Sequence, residues 1–462
     1  MNVEQIMSLG PQLAHYLDEY QDCFRRSEPQ GHLNTYVRGQ LLDLPRKSIE
    51  PIALAHDVKP RTLQEFLGTD IWDELLMRDR LQQLVARDHR QRDSIGIVDD
   101  SGHAKCGSHT ACISRQYCGR SGKVDNCVVT VNLSLASFDT RFRVMLDSVP
   151  FLPECWDQDQ ARRRRAHIPD AVRYRPKYDI ALEELDRARD NGVVLSWLLG
   201  DGWYGQKPKF LAGLHRREQR FVMEIPCNFR CWSSDPDSTE RVPPPKEARN
   251  LARYSKHMMR QAWTRVYLKD TQKGPLVWEA KSMPVWVELE GEVCGPWWLV
   301  WARDATDPSQ EKFFLSNASA GVPFEVILHV GFARWPIERC LEDEKSELGM
   351  SHFEVRKYPS ICRHLILTMV SHLFLSRQTN RLRGEKCGDH HLPSARCNAD
   401  VAQYDVAFAG GPVEGVATPS GDCSVLPATQ RFSPPFAHKN DPRAAQAVRH
   451  HPGRTALLQA AG

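Results

Sequence analysis

Two short apolar segments, each followed directly by aspartate, constrain the fold of this chain more than any other feature of its sequence. Residues 94–98 lead into Asp99 and Asp100, and residues 193–200 lead into Asp201. Short runs that are rich in valine, isoleucine and leucine are typical of buried strands. We therefore predict two core strands whose ends present acidic side chains at an edge of a sheet.

A third acidic residue lies in a predicted helix over residues 334–345. At about 100° per residue, Arg334, Glu338 and Lys345 fall on one face of that helix. A carboxylate between two cations suits a site that holds a divalent metal ion together with a phosphodiester, because carboxylate oxygen ligates the ion and the cations contact phosphate oxygens. Taken alone, the helix is more typical of a solvated face that carries ordinary charged pairs.

The three acidic positions together indicate a more specific site than any one of them. Two strand-borne aspartates and one helix-borne glutamate would form a pocket for two Mg²⁺ ions roughly 4 Å apart, the geometry for in-line attack at phosphorus. Each aspartate alone could instead cap a helix or a turn.

The order of these motifs resembles that of the DDE transposases of bacterial insertion sequences. Arg334 stands four residues before Glu338, and Lys345 stands seven residues after it. Further segments that resemble the family's sequences lie at residues 99–101, 115–119, 122–127, 200–205 and 347–349. The resemblance covers roughly residues 30–380. It implies an α/β fold with a ribonuclease H-like mixed sheet flanked by helices.

The resemblance also implies roles for individual residues. Asp100, with Asp99 as the alternative, would act with Asp201 and Glu338 as the catalytic residues and metal ligands. Two Mg²⁺ ions would serve as cofactors, and Mn²⁺ could substitute for them. Arg334 and Lys345 would bind DNA phosphates. One departure is Gly331, which stands where many relatives have tyrosine.

The function that the resemblance implies is DNA transposition. The enzyme would cleave the ends of an insertion sequence and transfer the 3′-hydroxyl ends to target DNA. Its partners would be double-stranded DNA, at the terminal inverted repeats and the target, and a second copy of the chain in a synaptic homodimer. Two alternatives remain open at this point: a catalytically inactive DNA-binding relative, and a metal-dependent nuclease without strand transfer.

Composition and periodicity predict three regions along the chain. Residues 1–90 read as a helical DNA-binding domain, in which two short helices around His56 and Asp57 form a helix-turn-helix-like pair. Residues 91–376 form the predicted catalytic domain, with an inserted β-rich subdomain at about 226–325. Residues 377–462 are predicted to be an irregular tail, since the last 76 residues hold 8 Pro and 7 Gly, which disfavours regular packing.

The net charge alone does not indicate a nucleic-acid partner, because 61 Lys plus Arg against 58 Asp plus Glu gives only +3. Local clusters of basic residues are more informative than the net charge. The candidate DNA contacts are Lys59, Arg61, Arg163, Arg164 and the base-stacking Trp298. A solvated face for the arginines and core packing for the tryptophan are the alternatives.

Several other classes are disfavoured by the sequence. It contains neither an apolar run long enough for a membrane span nor a secretory signal, so we expect a cytoplasmic protein associated with the bacterial nucleoid. The 14 cysteines have irregular spacing and are expected to be reduced. No phosphate-binding GxxxxGK[ST] loop occurs, which argues against an ATP-driven motor.

Overall fold

The computed structural model describes residues 3–89, 93–119, 122–139, 141–238, 243–271 and 274–385. Residues 1–390 belong to one compact unit, and a second unit, residues 391–462, lies outside the described residues. The irregular tail was predicted to begin at residue 377, yet a helix continues to Glu385. The rest of that predicted tail lies outside the described residues.

Fifteen α-helices occur in the described part of the chain. Their bounds are α1 (Val3–Asp18), α2 (Ser27–Leu41), α3 (Ile49–Ala55), α4 (Pro60–Gly68), α5 (Glu74–Asp88), α6 (Glu154–Asp157), α7 (Gln160–Arg165), α8 (Lys177–Asp190), α9 (Gly202–Gly205), α10 (Pro208–Arg216), α11 (Ala248–Tyr254), α12 (Lys256–Arg260), α13 (Phe324–Phe332), α14 (Trp335–Ser346) and α15 (Tyr358–Glu385). No helix among the described residues is long and apolar enough to cross a membrane.

Twelve β-strands occur in the same residues. Their bounds are β1 (Ile95–Ala104), β2 (Ser114–Cys118), β3 (Lys123–Ala136), β4 (Arg143–Pro150), β5 (Trp197–Gly200), β6 (Phe221–Ile225), β7 (Arg230–Cys231), β8 (Lys246–Glu247), β9 (Thr264–Thr271), β10 (Gly274–Leu289), β11 (Glu292–Asp304) and β12 (Glu311–Ser316).

One mixed sheet of ten strands organises the molecule, in the order β2-β3-β1-β5-β6-β12-β11-β10-β9, with β4 also paired to β3. Strand β1 runs antiparallel to β3 and parallel to β5, and β5 runs parallel to β6. Helices flank this sheet. The predicted α/β fold with a mixed, helix-flanked sheet is therefore confirmed, and it agrees with a ribonuclease H-like core.

The end of β1 differs from the sequence-based prediction. The strand was expected to stop at the aspartates, but it continues to Ala104, because residues 101–104 pair with residues 127–130 of the long strand β3. Asp99 and Asp100 consequently lie within the strand. For β5 the prediction was right, since this strand ends at Gly200 and Asp201 follows it directly.

The strands of the predicted insertion do not form a separate sheet. Strand β12 pairs antiparallel with β6, and β11, β10 and β9 follow in order, so they extend the main sheet. Only β7 and β8 pair apart from it in the described residues. The limits of an inserted subdomain at about 226–325 remain a prediction.

The N-terminal helices pack on the long helix α15 rather than standing apart. The Tyr16 hydroxyl donates to the Val370 carbonyl at 2.8 Å, and the Gln40 amide donates to Thr368 at 3.0 Å. Apolar side chains of α1–α5 and of the sheet belong to one continuous core. Burial of that shared apolar surface joins the two predicted domains into the same compact unit.

A glycine allows α9 to lie directly on β6 and so fixes the position of Asp201. A Cβ atom at Gly205 would come within 1.9 Å of the Glu224 carbonyl oxygen, which belongs to the backbone of β6. Gly202, in the same short helix, has nothing within 4 Å of its corresponding position. Close backbone approach at Gly205 therefore requires the absence of a side chain.

We predict that Gly205→Ala destabilises the protein by about 1–3 kcal/mol or more, because α9 must move off β6 to make room. Gly202→Ala is the matched control and should leave the melting temperature almost unchanged. Thermal unfolding of the two variants beside the wild type tests this expectation. Equal melting temperatures for both variants would contradict the packing described for α9.

Candidate active site

Asp99 and Asp100 point to opposite faces of the sheet. Successive side chains of a strand alternate between its faces. Asp99 pairs across the sheet with Asn132 and Asp100 with Val131. Each aspartate therefore meets a different set of helices, and its contacts reveal which one shares a site with Glu338.

Arg334 joins Asp99 to Glu338. Its guanidinium donates to Asp99 Oδ2 at 2.9 Å and to Glu338 Oε1 at 2.5 Å. Arg334 is the residue directly before α14, and Glu338 lies in the first turn of that helix. The Asp99 side chain is 18% exposed, whereas that of Glu338 is 55% exposed. Asp99 and Glu338 thus form a site in which the aspartate is largely shielded from solvent and the glutamate is accessible.

Asp201 lies beside this pair at the carboxyl end of β5. Its Oδ1 accepts hydrogen bonds from the backbone N–H groups of Trp203 at 2.9 Å and Tyr204 at 3.2 Å, so it also caps α9. Burial raises the pKa of Asp201, while the Tyr204 N–H and the Arg334 guanidinium oppose that rise. Capping and participation in the site are therefore compatible roles for this residue.

Too little positive charge surrounds the buried Asp99 carboxylate to keep its pKa at the ordinary value. Burial raises its pKa to about 7, and the nearby Asp201 adds to the rise. The Arg334 guanidinium acts in the opposite direction without cancelling it. A group that keeps its proton to neutral pH in this way would gain from an additional cation.

Asp100 has a different set of partners. Its carboxylate accepts from the Lys177 ammonium at 2.7 Å and from the Tyr204 hydroxyl at 2.7 Å. Lys177 begins α8 and Tyr204 belongs to α9, so Asp100 ties both helices to β1. Asp100 also contributes to the raised pKa of Asp201, after burial, which shows that it is not remote from the site.

The structure therefore brings together Asp99, Arg334 and Glu338, with Asp201 within electrostatic range. The sequence favours Asp100 as the first carboxylate, with Asp99 as the alternative; the contacts of Arg334 support Asp99, and the choice between the two stays a prediction. Lys177 and Tyr204, the partners of Asp100, were not predicted from the sequence. The alternation of side chains along a strand was the available signal that only one of two adjacent aspartates faces α14.

The donor chemistry at this site suits a hard divalent cation, which prefers carboxylate oxygens. Burial raises the pKa values of both Asp99 and Asp201, and Asp201 adds to the rise at Asp99; this shortage of positive charge is the observation that supports the fit. Across the described ranges, no group of three histidine, cysteine, aspartate or glutamate side chains is already arranged around one point as metal ligands. Arg334 occupies the space between Asp99 and Glu338 as the counter-charge.

The remaining predicted phosphate contacts differ in their exposure. Lys345 is half-buried near the end of α14. Lys59 and Arg61 are exposed at the start of α4, where Arg61 pairs with Glu65 at 2.6 Å. Contact of these three residues with DNA stays a prediction.

Arg163 is engaged within the protein. It is only 1% exposed, and its guanidinium donates to Asp157 Oδ1 at 2.6 Å and to the carbonyls of Pro169 and Val172. All of these partners are intramolecular and favour a structural role, and contact of Arg163 with DNA stays a prediction without support from its contacts. Arg164, its neighbour on α7, is exposed, and its DNA contact remains a prediction.

Trp298 is also engaged within the protein. It is half-buried in β11, and its indole N–H donates to the Ala318 carbonyl at 3.1 Å. The neighbouring Trp297 is buried against Phe221, with ring centroids 5.2 Å apart. These contacts favour core packing for the tryptophans, and base stacking by Trp298 stays a prediction without support from its contacts.

Comparison with known proteins agrees with this site. A family model described as a DDE superfamily endonuclease matches residues 19–281, more than half of the chain. The chain therefore belongs to the DDE superfamily of endonucleases. The matched segment includes Asp99, Asp100 and Asp201 and ends before the helix that carries Glu338.

A relative from Microchaete diplosiphon extends the similarity. It is described as "Probable transposase for insertion sequence element IS701" and is 24% identical over 326 residues. The alignment covers 70% of this chain and 76% of the relative.

The raised pKa of Asp99 predicts a pH dependence of stability in metal-free buffer. The ordinary value is 3.8 and the folded-state value is about 7, so the folded state holds the proton over that interval. Folding stability contributed by the protonated carboxyl is present below the unfolded-state pKa and is lost as the pH rises through the folded-state pKa. At about 1.4 kcal/mol per pKa unit, the effect amounts to a few kcal/mol.

The measurement compares urea unfolding of the wild type and Asp99→Asn, both in EDTA, over that pH range. The stability of Asp99→Asn relative to the wild type should increase as the pH rises. A difference between the two proteins that is independent of pH would refute the assigned burial of Asp99.

The contrast between Arg163 and Arg164 gives a second prediction. Arg163→Ala leaves Asp157 and two carbonyls without this partner, which should cost about 3–5 kcal/mol of stability. Arg164→Ala should change stability by no more than about 0.5 kcal/mol. Chemical denaturation measures both variants, and similar losses for the two would show that Arg163 is not a structural residue.

Proposed function

We propose that this endonuclease is a DNA transposase that cleaves the ends of an insertion sequence and joins the 3′-hydroxyl ends to target DNA. The observation that carries the proposal is the convergence of Asp99 and Glu338 on Arg334, beside Asp201. Membership of the DDE superfamily supports the endonuclease step, and the insertion-sequence relative supports transposition.

Asp99, Asp201 and Glu338 are the residues that would hold divalent metal, as two Mg²⁺ ions or as Mn²⁺. The chemistry that such ions supply is neutralisation of charge on the scissile phosphate and activation of the attacking hydroxyl. Asp201 is kept in place by the α9 N–H groups. Glu338, more exposed than the aspartates, leaves the site open on the side from which DNA can enter.

Arg334 has two roles in this proposal. Without DNA, its guanidinium neutralises Asp99 and Glu338, which raises its own pKa although burial acts in the opposite direction. With metal and DNA bound, the guanidinium would leave these carboxylates and contact a phosphate beside the scissile bond, since its planar fork binds two oxygens at once. Lys345, further along α14, would contact a second phosphate.

The partners in this proposal are double-stranded DNA and a second copy of the chain. DNA would be bound at the terminal inverted repeats and at the target, and a homodimer would hold two ends together. The protein would act in the cytoplasm of a bacterial cell, at the nucleoid. Exposed Lys59 and Arg61, at the start of α4, are the proposed contacts outside the catalytic site.

Asp100 acts in the proposal as a positioning residue. It holds α8 and α9 to β1 through Lys177 and Tyr204, and α9 carries the capping contacts of Asp201. Asp100→Asn keeps an oxygen that accepts from the Tyr204 hydroxyl, so the site should persist in weakened form. The activity of Asp100→Asn therefore distinguishes Asp99 from Asp100 as the first catalytic carboxylate.

The test is Mg²⁺-dependent cleavage of DNA that carries the terminal repeats. Asp99→Asn, Asp201→Asn and Glu338→Gln should each lower the rate by about 10³-fold or more, equivalent to about 4 kcal/mol of transition-state stabilisation. Asp100→Asn should lose much less activity. Glu342→Gln, a change at an exposed position of α14, is the control and should cleave normally.

The possible outcomes separate the alternatives. Cleavage without joining in an oligonucleotide strand-transfer assay would indicate a nuclease, and DNA binding without nicking would indicate an inactive relative. Full activity in Asp99→Asn combined with loss in Asp100→Asn would overturn the assignment of Asp99.

A further inference from the structure

A row of aromatic and basic side chains lies beside the site, and no catalytic role uses it. It comprises Phe151, Tyr174, Lys177, Trp203 and Lys207, which we call the Trp203 surface. The rings of Phe151 and Tyr174 are 6.1 Å apart in an edge-to-face arrangement. The Lys177 ammonium lies 5.5 Å from the Phe151 centroid and 5.7 Å from the Trp203 centroid, so it joins the two halves of the row.

The two outer rings of this surface are open to solvent. Trp203 is 36% exposed and Tyr174 is 39% exposed. Lys207 places its ammonium 4.8 Å from the Trp203 centroid. Packing accounts for Trp297 but not for an indole ring held at the surface between two lysines.

The Trp203 surface contacts one proposed metal ligand, Asp201, and the positioning residue Asp100. The backbone N–H of Trp203 donates to Asp201 Oδ1 at 2.9 Å, and Lys177 donates to Asp100 at 2.7 Å. Any nucleic acid strand that leaves the site along α9 therefore passes the Trp203 ring. Only the part of a DNA substrate next to the scissile bond could therefore reach the Trp203 surface.

We propose that the Trp203 surface binds the unpaired DNA strand next to the cleaved end. Exposed aromatic rings that alternate with lysines are the elements of a single-strand binding path, in which bases stack on the rings and the ammonium groups contact phosphates. The inference rests on the proposed function, since a cleaved end supplies the unpaired strand.

The chemistry favours single-stranded over duplex DNA. A base can stack on Trp203 only when its face is free, which base pairing and stacking within a duplex prevent. The entering base would displace Lys207 from the indole face and leave its ammonium beside the phosphate of the same nucleotide. Lys177 has three N–H donors and uses one of them on Asp100, so others are available to a phosphate.

The experiment measures the affinity of the full chain for a labelled oligo-dT strand by fluorescence anisotropy in EDTA, with a duplex of the same length as comparator. Trp203→Ala should weaken binding of the single strand about 10-fold, the usual effect of removing one stacked base contact. Trp203→Phe should recover most of that loss because it keeps a stacking face. Binding of the duplex should change little in both variants.

Lysine variants test the phosphate contacts separately. Lys207→Ala should weaken single-strand binding. The slope of log K against log salt concentration should become shallower by about 0.7, the change expected for the loss of one phosphate contact on a single strand. Lys246→Ala, at an exposed position on β8, is the matched control. Tyr267→Ala, at an exposed position on the distant edge strand β9, is the control for the loss of an aromatic side chain.

The outcomes distinguish this inference from the proposed function. Unchanged single-strand affinity in a folded Trp203→Ala, as judged by its melting temperature, would overturn the inference even if the wild type cleaves and joins DNA. An equal loss on single strand and duplex, or an equal loss in Tyr267→Ala, would also overturn it. Failure of the wild type to cleave, with Trp203-dependent binding of the single strand intact, would instead refute the proposed function.

Discussion

The pairing of β1 between β3 and β5 is the constraint on which the rest of the site depends. Pairing with β3 along the whole strand, and with β5 at residues 95–97, fixes the direction of its side chains, so Asp99 and Asp100 cannot exchange faces without a shift of register. One face then meets α14 with its arginine and glutamate, and the other meets α8 and α9. A one-residue difference along the chain thus decides between a candidate metal ligand and a residue that fastens two helices.

Charge balance explains how such a site persists without DNA. Buried carboxylates are costly unless they are paired or protonated. Here Arg334 pairs with the largely buried Asp99 and with the more exposed Glu338, and Asp99 retains a raised pKa despite that pairing. The same guanidinium that stabilises the resting site is the proposed phosphate ligand in the DNA complex. Substrate and metal would therefore replace a protein counter-charge rather than enter a preformed cavity.

The sequence predicted the larger elements well because their periodicity is strong. The β5 strand with Asp201 at its end, the helix of Glu338 and the helix pair around His56 and Asp57 were all expected and are observed. Which of two adjacent aspartates faces α14 depends on long-range pairing, and the burial of Arg163 depends on carbonyls that only the fold brings near. Gly331 is a related case: a Cβ atom there would lie 3.2 Å from a Val222 side-chain carbon, a tight contact that favours a small residue at that position of α13.

The central claim is that Asp99, and not its neighbour, shares divalent metal with Asp201 and Glu338. The most direct measurement is anomalous scattering from Mn²⁺ in crystals of the protein bound to its terminal-repeat DNA. We expect manganese peaks within coordination distance of the Asp99 and Asp201 carboxylates, with Arg334 withdrawn from Glu338 and Lys177 still paired with Asp100. Peaks coordinated by Asp100 and remote from Asp99, or no peak near Asp201, would contradict the account.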